Sequence, residues 1–231
     1  MVDDDVAKLD NPIDVMYLFH KAFMALSMRT ENLAAQSVNG SDLTVFREAF
    51  ESWRQLFLYH VDTEDKYMTA PLLESQAARK NEDEHEELRR STTDVRDILD
   101  KGDSAGLSKY VSEVMRVMDE EQHEELTWKM QEVEDYLRQA IGEDRVVART
   151  RRHLHGLVMT LRILEFDHFE NEEAFVVTEV RERMTVDQQM EVARHLLIDD
   201  KSENPRWIID WLVNELDSDD RKLLAELESR L

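Results

Sequence analysis

Two stretches of this sequence pair an imidazole with a carboxylate one helical turn later: His60 with Glu64, and His168 with Glu172. Each pair falls in phase with an apolar stripe. Steps of three and four residues from Phe46 through Phe50, Trp53 and Phe57 arrive at His60 and Glu64, with Tyr67 beyond them. Leu154, Leu157, Leu161 and Leu164 lead in the same way to His168, Glu172 and Phe175. Such steps hold one face of a helix, so both pairs are directed at a core. An imidazole and a carboxylate buried there cost free energy unless something satisfies them. A cation satisfies both at once, and a carboxylate has two oxygens with which to bridge two cations.

Spacing alone is weak evidence. With 8 His and 52 acidic residues in 231 positions, about two His would carry an acid four places on by chance, and three do: His60, His168 and His195. Phase and distribution are stronger. His20, His60, His85 and His168 each fall on the apolar face of a different predicted helix. A single such residue is often a core histidine with an ordinary hydrogen-bond partner. Four, accompanied by two inward Glu, point to a shared metal site. His195 reads as surface or outer-sphere. His153 and His155 lie about four turns from His168 and are too distant for the same ion. His123, at the edge of its stripe, reads as an additional ligand, a proton donor near the site or a solvated residue. Asp65 and Glu173, each directly after an inward Glu, are expected to point off the axis, and Glu82, Glu86, Glu87, Glu120 and Glu121 to form solvated faces.

These residues require long helices to carry them. Five Gly and three Pro in 231 residues leave few breakers. The periodicity predicts a first helix from Asn11-Pro12, where Pro suits the first turn, with Ile13, Met16, Tyr17, His20, Phe23, Met24 and Ser27 inward. A second runs from about 42 into the seventies, with Pro71 bending or ending it. A third begins near Arg79 and carries His85, a fourth covers about 105–141, and a fifth about 145–183. Thr185, then Ser218-Asp219-Asp220, cap two shorter helices, and Trp207 and Trp211 lie on an amphipathic segment between them. We expect one domain over 1–231, with its core at about 10–183 and a helical extension at about 185–231.

Composition narrows the chemistry. The chain has no Cys, which excludes disulfides, thiolate metal sites and thiol catalysis. Donors limited to imidazole, carboxylate and water suit iron, manganese or zinc. A net charge of -23 opposes binding to nucleic acid or an anionic membrane and favours solubility. The acidic Met1–Asp10 is unlike a signal peptide, and no apolar run reaches bilayer-spanning length. The expectation is a soluble cytoplasmic protein.

The order His, His-x-x-x-Glu, His, His-x-x-x-Glu resembles the hemerythrin-like family of HHE cation-binding domains, in its stand-alone prokaryotic form. The resemblance is carried by Pro12-Ile13-Asp14 through Phe19-His20-Lys21-Ala22, by Tyr59-His60-Val61-Asp62-Thr63-Glu64-Asp65, by Glu84-His85-Glu86, and by His168 through Glu172-Glu173. It implies an all-α fold: an up-down four-helix bundle, here with one inserted long helix and additional C-terminal helices. It implies a di-iron centre held by His20, His60, Glu64, His85, His168 and Glu172, with Glu64 and Glu172 as bridges. Two departures stand out. Arg89 occupies the place where oxygen-carrying members have a second His, which argues against simple oxygen carriage. The helix at about 105–141 is additional; were it to replace the expected fourth helix of the bundle, His123 would become a ligand at the expense of His168, which is kept for its spacing to Glu172 and the tail after it.

The function implied is binding of dioxygen, peroxide or nitric oxide in sensing, scavenging or iron handling, with turnover left open. Two rivals come from the residues. One is a metal-independent helical interaction module, docking a partner through Trp207 and Trp211. The other is a ferritin-type di-iron oxidase, since Glu82-x-x-His85 and Glu120-x-x-His123 have that spacing.

Overall fold

A computed structural model describes residues 8–38, 40–72, 123–133 and 148–231. Among these residues the fold is all-helical, as the periodicity predicts. His85 and the expected helix around it lie outside the described residues, as do Glu82, Glu120 and most of the expected 105–141 helix.

A 3₁₀ turn at Pro12–Asp14 leads into α1, Val15–Gln36. Asn11 precedes it, its backbone N–H donating to Asp14 Oδ2 at 2.9 Å. The next helix, α2, Gly40–Glu64, packs against α1. Asp42 in the first turn of α2 accepts from the Val38 backbone N–H at 2.7 Å. A single π turn, Asp65–Thr69, follows without a break, and the helix continues to residue 72. Pro71 is helical, with residue 72 the last described in this segment, and the irregularity among the described residues is the π turn. Residues 123–133 form helix α3.

The next long helix is α4, Ala148–Asn171, continued through a second π turn, Glu172–Val176, into α5, Val177–Arg183. It runs antiparallel to α1. Glu31 meets His155 and Arg162, His20 meets Glu173, and Asp14 meets Arg181, so partner numbers rise along α4–α5 as they fall along α1. The stripe read from Leu154 holds through Leu161, His168 and Glu172, but Phe175 turns outward. The π turn closes i→i+5 rather than i→i+4 and shifts the phase of everything beyond it.

The aromatic ladder of α2 is the heart of the core: Phe46, Phe50, Trp53 and Phe57 are fully buried, with Leu126, Met130 and Val133 of α3 in the same cluster. Residues 123–133, the described part of the stretch expected as an insertion, thus form a wall of the bundle. Truncating one of these aromatic side chains to Ala typically costs about 3–5 kcal/mol.

Three short helices complete the fold. α6, Val186–Leu197, opens on a capping box in which Thr185 accepts from the Gln188 N–H, and it packs on the 3₁₀ turn and the end of α2. α7, Trp207–Glu215, crosses α1, and α8, Ser218–Glu228, is capped by Asp217 rather than by the residues after it. Arg29 grips Glu215 with two hydrogen bonds of 2.6 and 2.8 Å, and Lys21 pairs with Asp217 and Asp220. These helices cover a second side of α1, so Leu18, Phe19, Ala22 and Leu26 are buried along with Ile13, Met16, His20, Phe23 and Ser27 of the predicted stripe, while Tyr17 and Met24 are only half-buried. Trp207 and Trp211 face inward, packing on Tyr59 and on Phe19 and Phe23. No helix among the described residues is long and apolar enough to cross a membrane.

Candidate metal centre

Six buried side chains from four helices converge between α1, α2, α3 and α4. They form two trios whose donor atoms lie within 4.8 Å of one another: His20, His60 and Glu172 in one, and Glu64, His123 and His168 in the other. Each trio combines a histidine from a helix without a His-x-x-x-Glu pair, a histidine from such a pair, and the Glu of the opposite pair.

The two carboxylates lie at the junctions. Glu172 Oε2 is 3.2 Å from His20 Nε2, 3.5 Å from His168 Nε2 and 4.0 Å from His60 Nε2. Glu64 Oε2 is 3.7 Å from both His60 Nε2 and His123 Nε2. His123 Nε2 and His168 Nε2 are 3.0 Å apart. Separations of 3–4 Å are those of donors sharing an ion to which each is bound at about 2 Å.

The surroundings of His20 and His60 are aromatic. Phe169 stacks on His20 at 4.1 Å between centroids, Phe19 on His60 at 5.5 Å, and Phe23 lies 5.4 Å from His60. Burial, then the neighbouring His20 and His123 rings, hold the His60 imidazole well below the ordinary histidine range. His168 is depressed in the same way, again chiefly by burial. Neutral rings keep a nitrogen lone pair for a cation.

Two features support a metal here. His20 Nε2 and both ring nitrogens of His60 are buried without a hydrogen-bond partner among the described residues, a cost that native cores rarely carry. The donor set itself, imidazole and carboxylate without thiolate, suits iron or manganese. The residues present fit a pair of such ions.

The sequence-predicted residues are distributed as follows. His20, His60, Glu64, His168 and Glu172 meet in the cluster, and His123 joins them. His123 and His168 enter together, so the one does not displace the other. His85 lies outside the described residues. His195 stands apart, stacked on Tyr67 at 3.7 Å, and His155 pairs with Glu31 at 3.2 Å.

Three acids take roles that the helical phase did not predict. Glu173 Oε1 accepts from His20 Nδ1 at 2.7 Å, and Asp65 Oδ1 lies 3.3 Å from His123 Nδ1. Both follow a trio Glu directly, and the doublets Glu64-Asp65 and Glu172-Glu173 were the available signal. The third is Glu165, buried one turn before His168. It accepts from Trp53 Nε1–H at 2.5 Å, and burial pushes its carboxyl up to about 8 against the opposing hydrogen bonds from Trp53 and Ser27.

A cavity of about 760 Å³ among the described residues opens beside the second trio, with Arg54, Val61, Asp65, His123, Trp128 and Met130 in its wall.

No curated protein and no solved structure matches this chain. A family model does match, over a span that takes in α1 and α2 with His20, His60 and Glu64; His123, His168 and Glu172 lie beyond it. Residues 11–121 match the Hemerythrin HHE cation binding domain.

Proposed function

We propose that this chain is a non-haem di-iron protein that binds dioxygen, peroxide or nitric oxide, acting in sensing, scavenging or iron handling. His20, His60 and Glu172 would hold one ion and Glu64, His123 and His168 the other, with Glu64 and Glu172 placed to bridge. His85 is a further expected ligand. An iron pair bound there supplies electron exchange and coordination positions open to a small molecule.

The chain's own residues do the rest. Phe19, Phe23 and Phe169 exclude water from the His20–His60 side, which limits side reactions. The cavity wall at His123 and Asp65 offers a small ligand an approach to the other side. One observation carries this reading: donors from four separate helices meet in two trios that share the reach of Glu64 and Glu172. Manganese or zinc would fit the same donors.

Anaerobic loading with ferrous iron, followed by dioxygen or peroxide, tests it. The expected result is two irons per chain and a new charge-transfer absorption of a coupled ferric pair. A colourless, metal-free product would contradict it.

A further inference from the structure

The two trios are related by more than composition. In each, the histidine from a helix lacking its own His-x-x-x-Glu pair has a carboxylate at its outer nitrogen. That carboxylate comes from the opposite helix in both cases. Glu173 on the α4 side reaches across to His20 of α1, 2.7 Å from Nδ1, and Asp65 on the α2 side reaches across to His123 of α3, 3.3 Å from Nδ1.

Both reaches depend on the same local device. Each acid lies five residues after the pair's histidine, His60 to Asp65 and His168 to Glu173, and each lies in a π turn. A regular helix would carry position i+5 away from the face of position i. The i→i+5 closure holds the doublet together, so that the first acid enters the cluster and the second turns to the neighbouring helix. A carboxylate on the outer N–H of a ligating imidazole fixes its tautomer and ring plane and raises its basicity as a donor.

We infer that Glu173 and Asp65 are positioning residues, each clamping one histidine across a helix boundary and each serving one ion of the pair. The inference rests on the two-ion reading above. It makes His-x-x-x-Glu-[Asp/Glu] with its π turn the functional unit of this chain, supplying one donor to the cluster from the Glu and one buttress to the adjacent helix. The two clamps differ in surroundings: the Glu173 side chain is largely covered, whereas that of Asp65 is 47% exposed in the cavity wall.

Cobalt(II) titration of the full chain, followed by its visible absorption, tests this. Wild type should take up two ions. Glu173→Gln should weaken one of them about 10–100-fold and Asp65→Asn the other, the range expected when an outer-sphere partner of a metal ligand is lost. The exposed acid Glu170 controls for simple loss of charge, so Glu170→Gln should leave both affinities unchanged. Double-mutant cycles supply the readout that a general structural effect would not move. Glu173→Gln should add nothing once His20 is Ala, and Asp65→Asn nothing once His123 is Ala, while each should still cause a further loss in the crossed combinations. Metal-free melting of each variant checks folding. Unchanged affinities in Glu173→Gln and Asp65→Asn, or a loss in both ions matching that in Glu170→Gln, would overturn the inference while leaving the two-ion centre standing. A wild-type chain that binds no cobalt would overturn both.

Discussion

His60 and Glu165 are equally buried, and burial acts on them with opposite consequences for stability. It holds the His60 imidazole well below the ordinary histidine range and raises the Glu165 carboxyl to about 8. Below its ordinary value of about 6.5, the imidazole takes a proton in the unfolded chain but not in the fold, so its contribution is present at higher pH and is lost as pH falls. The carboxyl keeps its proton in the fold up to about 8 but loses it in the unfolded chain above 4.5. Its contribution is therefore complete at low pH and drains away as pH rises through that window. For the metal-free protein, the stability of wild type minus that of Glu165→Gln should fall by a few kcal/mol between about pH 5 and 9 in denaturant titrations; parallel profiles would refute the assignment. Glu172→Gln keeps the shape of a trio residue and withdraws its charge. It should weaken metal by more than the roughly 10–100-fold expected of an outer-sphere change, read by equilibrium dialysis. The burial of these side chains was legible in the sequence because helical phase is a strong signal: His20, His60, Glu64, His168 and Glu172 could each be placed on an inward face. Glu165 was not, because an acid among leucines on an acidic helix resembles a solvated residue until Trp53 is found donating to it.

The elements were legible to the extent that regular helices were. Capping chemistry marked the start of α6, and there the Thr185 hydroxyl accepts from Gln188 as the sequence suggests. Thr185→Ala should cost about 1 kcal/mol of stability by urea unfolding, the usual value of a lost N-cap, with no change in metal stoichiometry. The two π turns left no composition signature of their own. They explain both errors of phase, since Phe175 within the second turn points outward and the acids Asp65 and Glu173 reach across helices instead of off the axis. The predicted single stripe on α1 was too narrow for a different reason. Periodicity within a helix reports one buried face, and the second face of α1 is covered by α7 and α8, whose sequences lie nearly two hundred residues away. The 123–133 segment was read as additional because the family pattern left it no place, and its buried Leu126, Met130 and Val133 give it one.

At the scale of the whole molecule, two buried glutamates and four histidines in one cluster weigh against folding unless a cation occupies their midst. A chain carrying -23 in net charge adds self-repulsion to that burden. Binding to the folded form alone stabilises it by about 2.7 kcal/mol when free metal stands at one hundred times its dissociation constant. The loaded protein should accordingly melt above the metal-free one, and a chelator should reverse the gain; identical melting curves with and without metal would speak for a metal-independent bundle. The most direct test of the central claim is a crystal structure of the iron-loaded protein with an anomalous difference map at the iron edge. Two peaks should appear, one among His20, His60 and Glu172 and one among Glu64, His123 and His168. A map without density inside those trios, or with iron only at exposed acids, would contradict it.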